Sequence, residues 1–196
     1  AGGVGKTAIA HRFCSSLFNR SDIPFDAIVW ISAKAEKLTL TGIVPIEPSV
    51  RNYEEVLNNI LSVFGWYDLL QKSLSEKEEY VNLILSEGDK GILLVVDNLE
   101  TIDDARIIEF IKDIPRPNKV LITSRMGLGE VERRYSLKEL SKTDAIQLIR
   151  TVAREKGENS LLQQSDDILF KYAKQMSMYS LAIMWVIGQV ALGKDI

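Results

Sequence analysis

The sequence has little cysteine, histidine or proline: of 196 residues, one is cysteine, one is histidine and five are proline. With Cys14 alone, an internal disulfide is excluded, which fits a reducing compartment and makes the cytoplasm the expected location. No Cys/His cluster is present, so a transition-metal site built from nitrogen and sulfur ligands is excluded as well. Cys14 and the sole histidine, His11, fall in one helical stretch, Cys14 near its apolar stripe in a core role and His11 on its surface. The longest apolar run, Leu181 to Leu192, spans about twelve residues and is too short to cross a bilayer. It reads as a buried helix, and no membrane partner is expected. Basic residues number 24 against 27 acidic ones, a net charge of −3, with no Lys/Arg cluster. This balance offers no general attraction to nucleic acid or anionic lipid, so no direct nucleic-acid contact is expected. Internal repeats and low-complexity tracts are also missing.

What the chain does have begins at its first residue. Ala1-Gly2-Gly3-Val4-Gly5-Lys6-Thr7 follows G-x-x-x-x-G-K-[ST], with the first glycine of the pattern falling one position before Ala1. The strand that launches such a loop would also precede Ala1, so the chain reads as a piece of a larger protein. Closely spaced glycines let backbone N–H groups turn inward around phosphates. Gly2, Gly3, Val4, Gly5, Lys6, Thr7 and Ala8 are therefore the expected nucleotide-binding residues. Lys6 would reach the outer phosphates, and the Thr7 hydroxyl would ligate Mg²⁺. Ile9, Phe13 and Leu17 recur at helical spacing, so the loop is expected to feed a helix N-terminus, an end that favours anions.

Three short runs rich in β-branched residues predict strands covered on both faces: Phe25 to Ser32, Ile92 to Asp97, and Val120 to Ser124. Arg134 to Leu137 is a weaker fourth candidate, and Lys34 to Ser49 reads as a long loop. Helices are predicted between the strands. Asn52 with Glu55 has capping-box spacing ahead of Tyr53, Val56, Leu57, Ile60, Leu61 and Phe64. Ser75 with Glu78 repeats that spacing before Tyr80, Val81, Ile84 and Leu85, and Gly88 is placed to end the helix. A further helix is expected from about Ile102 to Ile111, before Pro115. After Leu137 three helices remain, starting near Ser141, Ser165 and Ser180. The expectation is a doubly wound α/β domain over residues 1–138 followed by a small helical domain over 139–196.

Gly91 to Asn98 is an apolar strand ending in an acid, the Walker B pattern. An Asp at the carboxyl end of a buried strand can face a phosphate loop and hold Mg²⁺, the role expected of Asp97 beside Thr7. A further strand ends at Arg125, which is placed to sense a terminal phosphate. Trp30 and Trp185 sit in apolar runs and are expected in the core.

Taken in order, Gly-Gly-Val-Gly-Lys-Thr, Phe-Asp-Ala-Ile-Val-Trp-Ile-Ser, Leu-Leu-Val-Val-Asp-Asn-Leu-Glu, Val-Leu-Ile-Thr-Ser-Arg and Tyr-Ser-Leu-Lys-Glu-Leu-Ser resemble an NB-ARC domain. That is the nucleotide switch of STAND-class signalling ATPases, here in a bacterial or archaeal form. The resemblance covers nearly the whole chain. It implies a P-loop NTPase sheet whose first strand is missing, followed by the helical domain that closes over nucleotide. The missing strand is a central one in the family, so poor stability is expected of this piece alone. The resemblance also implies ATP/ADP and Mg²⁺ as cofactors, Lys6, Asp97 and Arg125 in catalysis, self-assembly of the full-length protein, and effector and sensor domains outside this chain.

Two departures accompany it. Asn98 stands where many relatives carry a second acid, and Glu100 is the candidate substitute, so slow ATP hydrolysis at most is expected. Ser180, in Ser177-Met178-Tyr179-Ser180-Leu181-Ala182, replaces the proline of a Gly-x-Pro turn beside the adenine. Two alternatives stay open: an AAA+-type DNA-associated ATPase and a P-loop small-molecule kinase.

Overall fold

The computed structural model describes residues 3–34, 47–48, 50–127 and 133–194, together with the backbone of 36–39 and 42–45. Ala1 and Gly2 lie outside the described residues. The chain divides into two compact units, one of Thr7–Lys37 with Pro45–Arg134, the other of Ala1–Lys6, Leu38–Val44 and Tyr135–Ile196.

The first unit is an α/β arrangement. Its strands are β1 (Ala27–Ser32), β4 (Ile92–Asp97) and β5 (Lys119–Ile122), parallel and in the order β1-β4-β5. Ala27 lies opposite Ile92 and Ser32 opposite Asp97, while Val96 lies opposite Ile122. Helix α1 (Lys6–Phe18) covers one sheet face. Helices α2 (Tyr53–Val63), α3 (Leu74–Glu87) and α4 (Ala105–Asp113) belong to the core on the other. Strand periodicity sorts the side chains between the faces. Val29, Ile31, Leu94, Val96, Val120 and Ile122 join the large core with α2 to α4. Ile28, Trp30, Leu93, Val95 and Leu121 join Cys14 and Leu17 of α1. Two covered faces explain the unbroken apolarity of β4, whose six residues are all buried.

Several expectations are corrected. Helix α1 packs through Ala10, Cys14 and Leu17, whereas Ile9 is 53% and Phe13 44% exposed. Both sets share Leu17, but at about 100° per residue Ile9 and Phe13 lie to one side of the face centred on Ala10, Cys14 and Leu17 that meets the sheet. The box ahead of α3 is Ser73 with Glu76, both reciprocal bonds present, two residues earlier than Ser75 with Glu78. Asn52 does cap α2, accepting from Glu55 N–H at 3.0 Å, but the Glu55 carboxylate takes the Arg51 N–H. Before α4, Leu99–Thr101 forms a 3₁₀ turn, so that helix starts only at Ala105, capped by Asp104. The stretch read as a long loop contains β2 (Glu36–Thr39) and β3 (Gly42–Pro45), paired as a separate two-stranded sheet. Arg134 to Leu137 is not a strand: Tyr135 is 73% and Leu137 38% exposed, so no buried face supports pairing there.

In the second unit, α5 (Lys142–Lys156), α6 (Asn159–Leu162), α7 (Asp166–Gln175) and α8 (Ser180–Val190) surround Ala145, Ile149, Leu169, Ala173, Ile183 and Ile187. Ser141 and Ser165 cap α5 and α7, and Gly157 ends α5 in the left-handed region at φ 75°. The single-turn α6 has no counterpart among the predicted helices. Helix α8 is buried on one face only; Leu181, Met184 and Trp185 are exposed, which corrects both the buried-helix reading and the core placement of Trp185. Among the described residues no helix is long and apolar enough to cross a membrane.

Candidate functional site

The alternation that builds the sheet also builds the site. Counting by twos along each strand, Asp97 follows Leu93 and Val95 onto the α1 face, and Thr123 follows Leu121 onto the same face. These are carboxyl ends of parallel strands, where open α/β sheets bind ligands. Helix α1 brings Thr7 to the same place.

The result is a three-residue cluster in which Asp97 and Thr123 are buried and Thr7 is partly exposed. Asp97 is 1% and Thr123 5% exposed. The Thr7 hydroxyl donates to Asp97 Oδ1 at 2.7 Å, and the Thr123 hydroxyl donates to the same oxygen at 2.6 Å. Thr123 Oγ1 in turn accepts the Asn98 N–H at 3.0 Å. The backbone fixes the frame: Thr123 N–H donates to Val96 O at 2.9 Å, and Ala33 N–H to Asp97 O at 3.0 Å. Asn98 adopts a left-handed conformation (φ 61°) that turns the chain out of the sheet directly after Asp97.

On the N-terminal side, Gly3 and Gly5 have φ values of 77° and 95°, a region that side chains disfavour, so both positions call for glycine. Lys6 is the first residue of α1, with Thr7 and Ala8 following in its first turn. Gly3, Val4, Gly5, Lys6, Thr7 and Ala8 are thus contiguous from the glycine loop into a helix N-terminus; Gly2 lies outside the described residues. Alternating left-handed glycines ahead of a helix form the kind of backbone concavity that collects N–H groups.

Glu100 and Arg125 meet each other. The Glu100 carboxylate accepts the Arg125 N–H at 3.2 Å and lies 3.2 Å from Arg125 Nε. Glu100's side chain is 11% and Arg125's 63% exposed, so the pair is anchored from the Glu100 side.

Thr123 was not singled out by sequence reasoning, although a signal for it was present. It stands two residues past Leu121, directly after the end of β5, the neighbour of the strand that ends at Asp97. A hydroxyl at that position had only to be counted by twos to be placed beside the acid.

A shallow concavity of about 220 Å³ is lined by His11, Cys14, Ser15, Phe18, Ile28 and Trp30. None of Gly3, Lys6, Thr7 or Asp97 lines it. His11 is exposed and packs on Trp30, with ring centroids 5.5 Å apart. Burial pushes the Cys14 thiol up from its ordinary value, which disfavours the reactive thiolate.

The chain matches no protein-family model, no curated protein and no solved structure. The chemistry of the site therefore rests on its own residues.

Those residues have a definite character. Thr7 and Asp97 present hard oxygen donors 2.7 Å apart. Hard oxygen donors of this kind fit Mg²⁺, which keeps waters and shares phosphate oxygens.

Proposed function

We propose that the chain is the ATP/ADP-binding switch module of a P-loop signalling ATPase of the NB-ARC type, with slow Mg²⁺-dependent hydrolysis at most. The observation that carries this reading is the 2.7 Å bond between Thr7 and Asp97, residues 90 positions apart that the two sequence patterns designate for the same ion. A glycine-rich turn that merely precedes a helix has no reason to deliver its threonine onto a buried strand-end aspartate.

In this reading the N–H groups of the glycine loop and of the first turn of α1 hold the phosphates, and Lys6 contacts the outer ones. Thr7 and Asp97 would hold Mg²⁺, which when bound neutralises charge on the phosphate oxygens. Thr123 keeps Asp97 oriented. Weak hydrolysis follows from the neighbourhood of Asp97: Asn98 has an amide in place of an acid, and Glu100 is tied to Arg125. A switch needs different affinities in two states and not fast turnover, so this chemistry suits regulation. Self-assembly, and effector and sensor domains outside the chain, belong to the same proposal.

Calorimetric titration of Mg·ADP and Mg·ATP into the chain and into Lys6→Ala tests it. Removing a charge-assisted contact is expected to weaken binding by about 10- to 150-fold. Equal affinity in the two proteins would sink the reading.

A further inference from the structure

We propose that Ser180 is a positioning residue for the glycine loop, fixing the direction of the Val4 N–H through the Gly3 carbonyl; the inference rests on the nucleotide-binding reading above. The Ser180 hydroxyl donates to Gly3 O at 3.0 Å, and the Leu181 N–H donates to the same oxygen at 3.1 Å. Two donors occupy both lone pairs of one carbonyl. Because the peptide unit is planar and trans, holding the Gly3 C=O toward α8 turns the Val4 N–H the opposite way. The brace therefore sets one of the loop's own donors without touching the ligand.

Three features show that this contact is built into the second unit. Tyr179, the N-cap of α8, makes no side-chain capping bond, so the Leu181 N–H, one of the helix's orphan donors, is satisfied by the loop. The approach requires glycine: a Cβ at Gly3 would lie 3.1 Å from Leu181 Cβ, and φ is 77°. The turn that delivers Ser180 is strained and fastened. Ser177 and Met178 are both left-handed at φ 53° and 57°, Met178 N–H donates to Ala173 O at 2.9 Å, and Met178 O accepts the Leu140 N–H at 3.0 Å. Consecutive non-glycine residues in that region persist only where the surroundings over-determine them. Here they carry the chain from α7 onto the loop. Linkage makes the effect reciprocal: whatever Ser180 adds to nucleotide affinity, nucleotide returns as stability of the α8 N-terminus.

The test is titration of N-methylanthraniloyl-ADP with Mg²⁺ into the wild-type chain, Ser180→Ala, Ser180→Thr and Lys6→Ala, with the urea midpoint of each. Ser180→Ala is expected to bind about three- to tenfold more weakly, with its midpoint lowered by no more than one neutral hydrogen bond contributes and the protein still fully folded under the binding conditions. Ser180→Thr keeps the hydroxyl and is expected within about twofold of wild type. Wild-type affinity in Ser180→Ala, with Lys6→Ala impaired, overturns the positioning role and leaves the nucleotide site standing. A fall in midpoint that accounts for the lost affinity, or failure of Ser180→Thr to restore it, reduces Ser180 to a structural residue and also overturns the role. No binding by wild type, or equal binding by Lys6→Ala, removes the nucleotide reading itself and this inference with it.

Discussion

Replacing Thr123 with valine isolates the support under Asp97. The two side chains share a shape, so the β5 end keeps its packing and loses only a hydroxyl that donates to Asp97 Oδ1 at 2.6 Å and accepts from Asn98 N–H at 3.0 Å. A hydrogen bond to a carboxylate contributes about 1.5–3 kcal/mol, and a buried donor left without an acceptor costs about 1–3 kcal/mol. The Asn98 amide is only partly buried, which puts its share at the low end, and Thr7 still donates to the same oxygen. The expected loss is about 2–4 kcal/mol, or about 30- to 900-fold in the folding equilibrium. Urea unfolding followed by circular dichroism reads it directly, and Thr123→Ser is expected to recover most of the loss. A double-mutant cycle with Asp97→Asn is expected to show at least about 1 kcal/mol of coupling, since the two side chains touch. A Thr123→Val protein within about 0.5 kcal/mol of wild type, or a cycle that closes additively, would refute the argument.

Asp104 caps two helices at once, accepting the Tyr53 N–H of α2 at 2.9 Å and the Arg106 N–H of α4 at 3.2 Å, so Asp104→Ala should lose about 1–3 kcal/mol in thermal melts. Hydrogen bonding from Arg106 holds the Asp104 carboxyl well below its ordinary range. Its contribution is therefore complete above the unfolded value of about 4 and fades as pH falls toward the lower folded value. The stability gap between wild type and Asp104→Asn should be flat from about pH 5 to 7 and shrink below about pH 4; an equal gap at pH 3 and pH 7 would contradict this. Lys77 is 2% exposed with Nζ 2.5 Å from Glu54 Oε1, whose side chain is half exposed. Glu54→Ala strands a buried ammonium and should cost about 2–3 kcal/mol, while Lys77→Met should stay within about 1 kcal/mol; chemical denaturation showing the reverse order would count against the burial argument.

The amino-acid sequence by itself determined the features that depend on near neighbours. Apolar runs with two usable faces defined β1, β4 and β5, and Asn52, Ser141 and Ser165 were legible as caps because a cap needs only its own next turn. The glycine loop feeding α1, and Asp97 at the end of β4, were legible for the same reason. Where two local solutions compete, sequence could not choose. Ser73 and Ser75 both have an acid three residues on, and the structure takes Ser73 because α3 starts one residue after it. Tertiary structure alone decided the relations between distant residues. Thr7, Asp97 and Thr123 share one carboxylate oxygen because parallel register and two-residue alternation put two strand ends under one helix. Glu100 answers to Arg125, and Ser180 to Gly3, across separations that no periodicity spans. Burial had the last word on Ile9, Phe13 and Trp185: a helix's apolar residues mark a core only when another surface arrives to cover them.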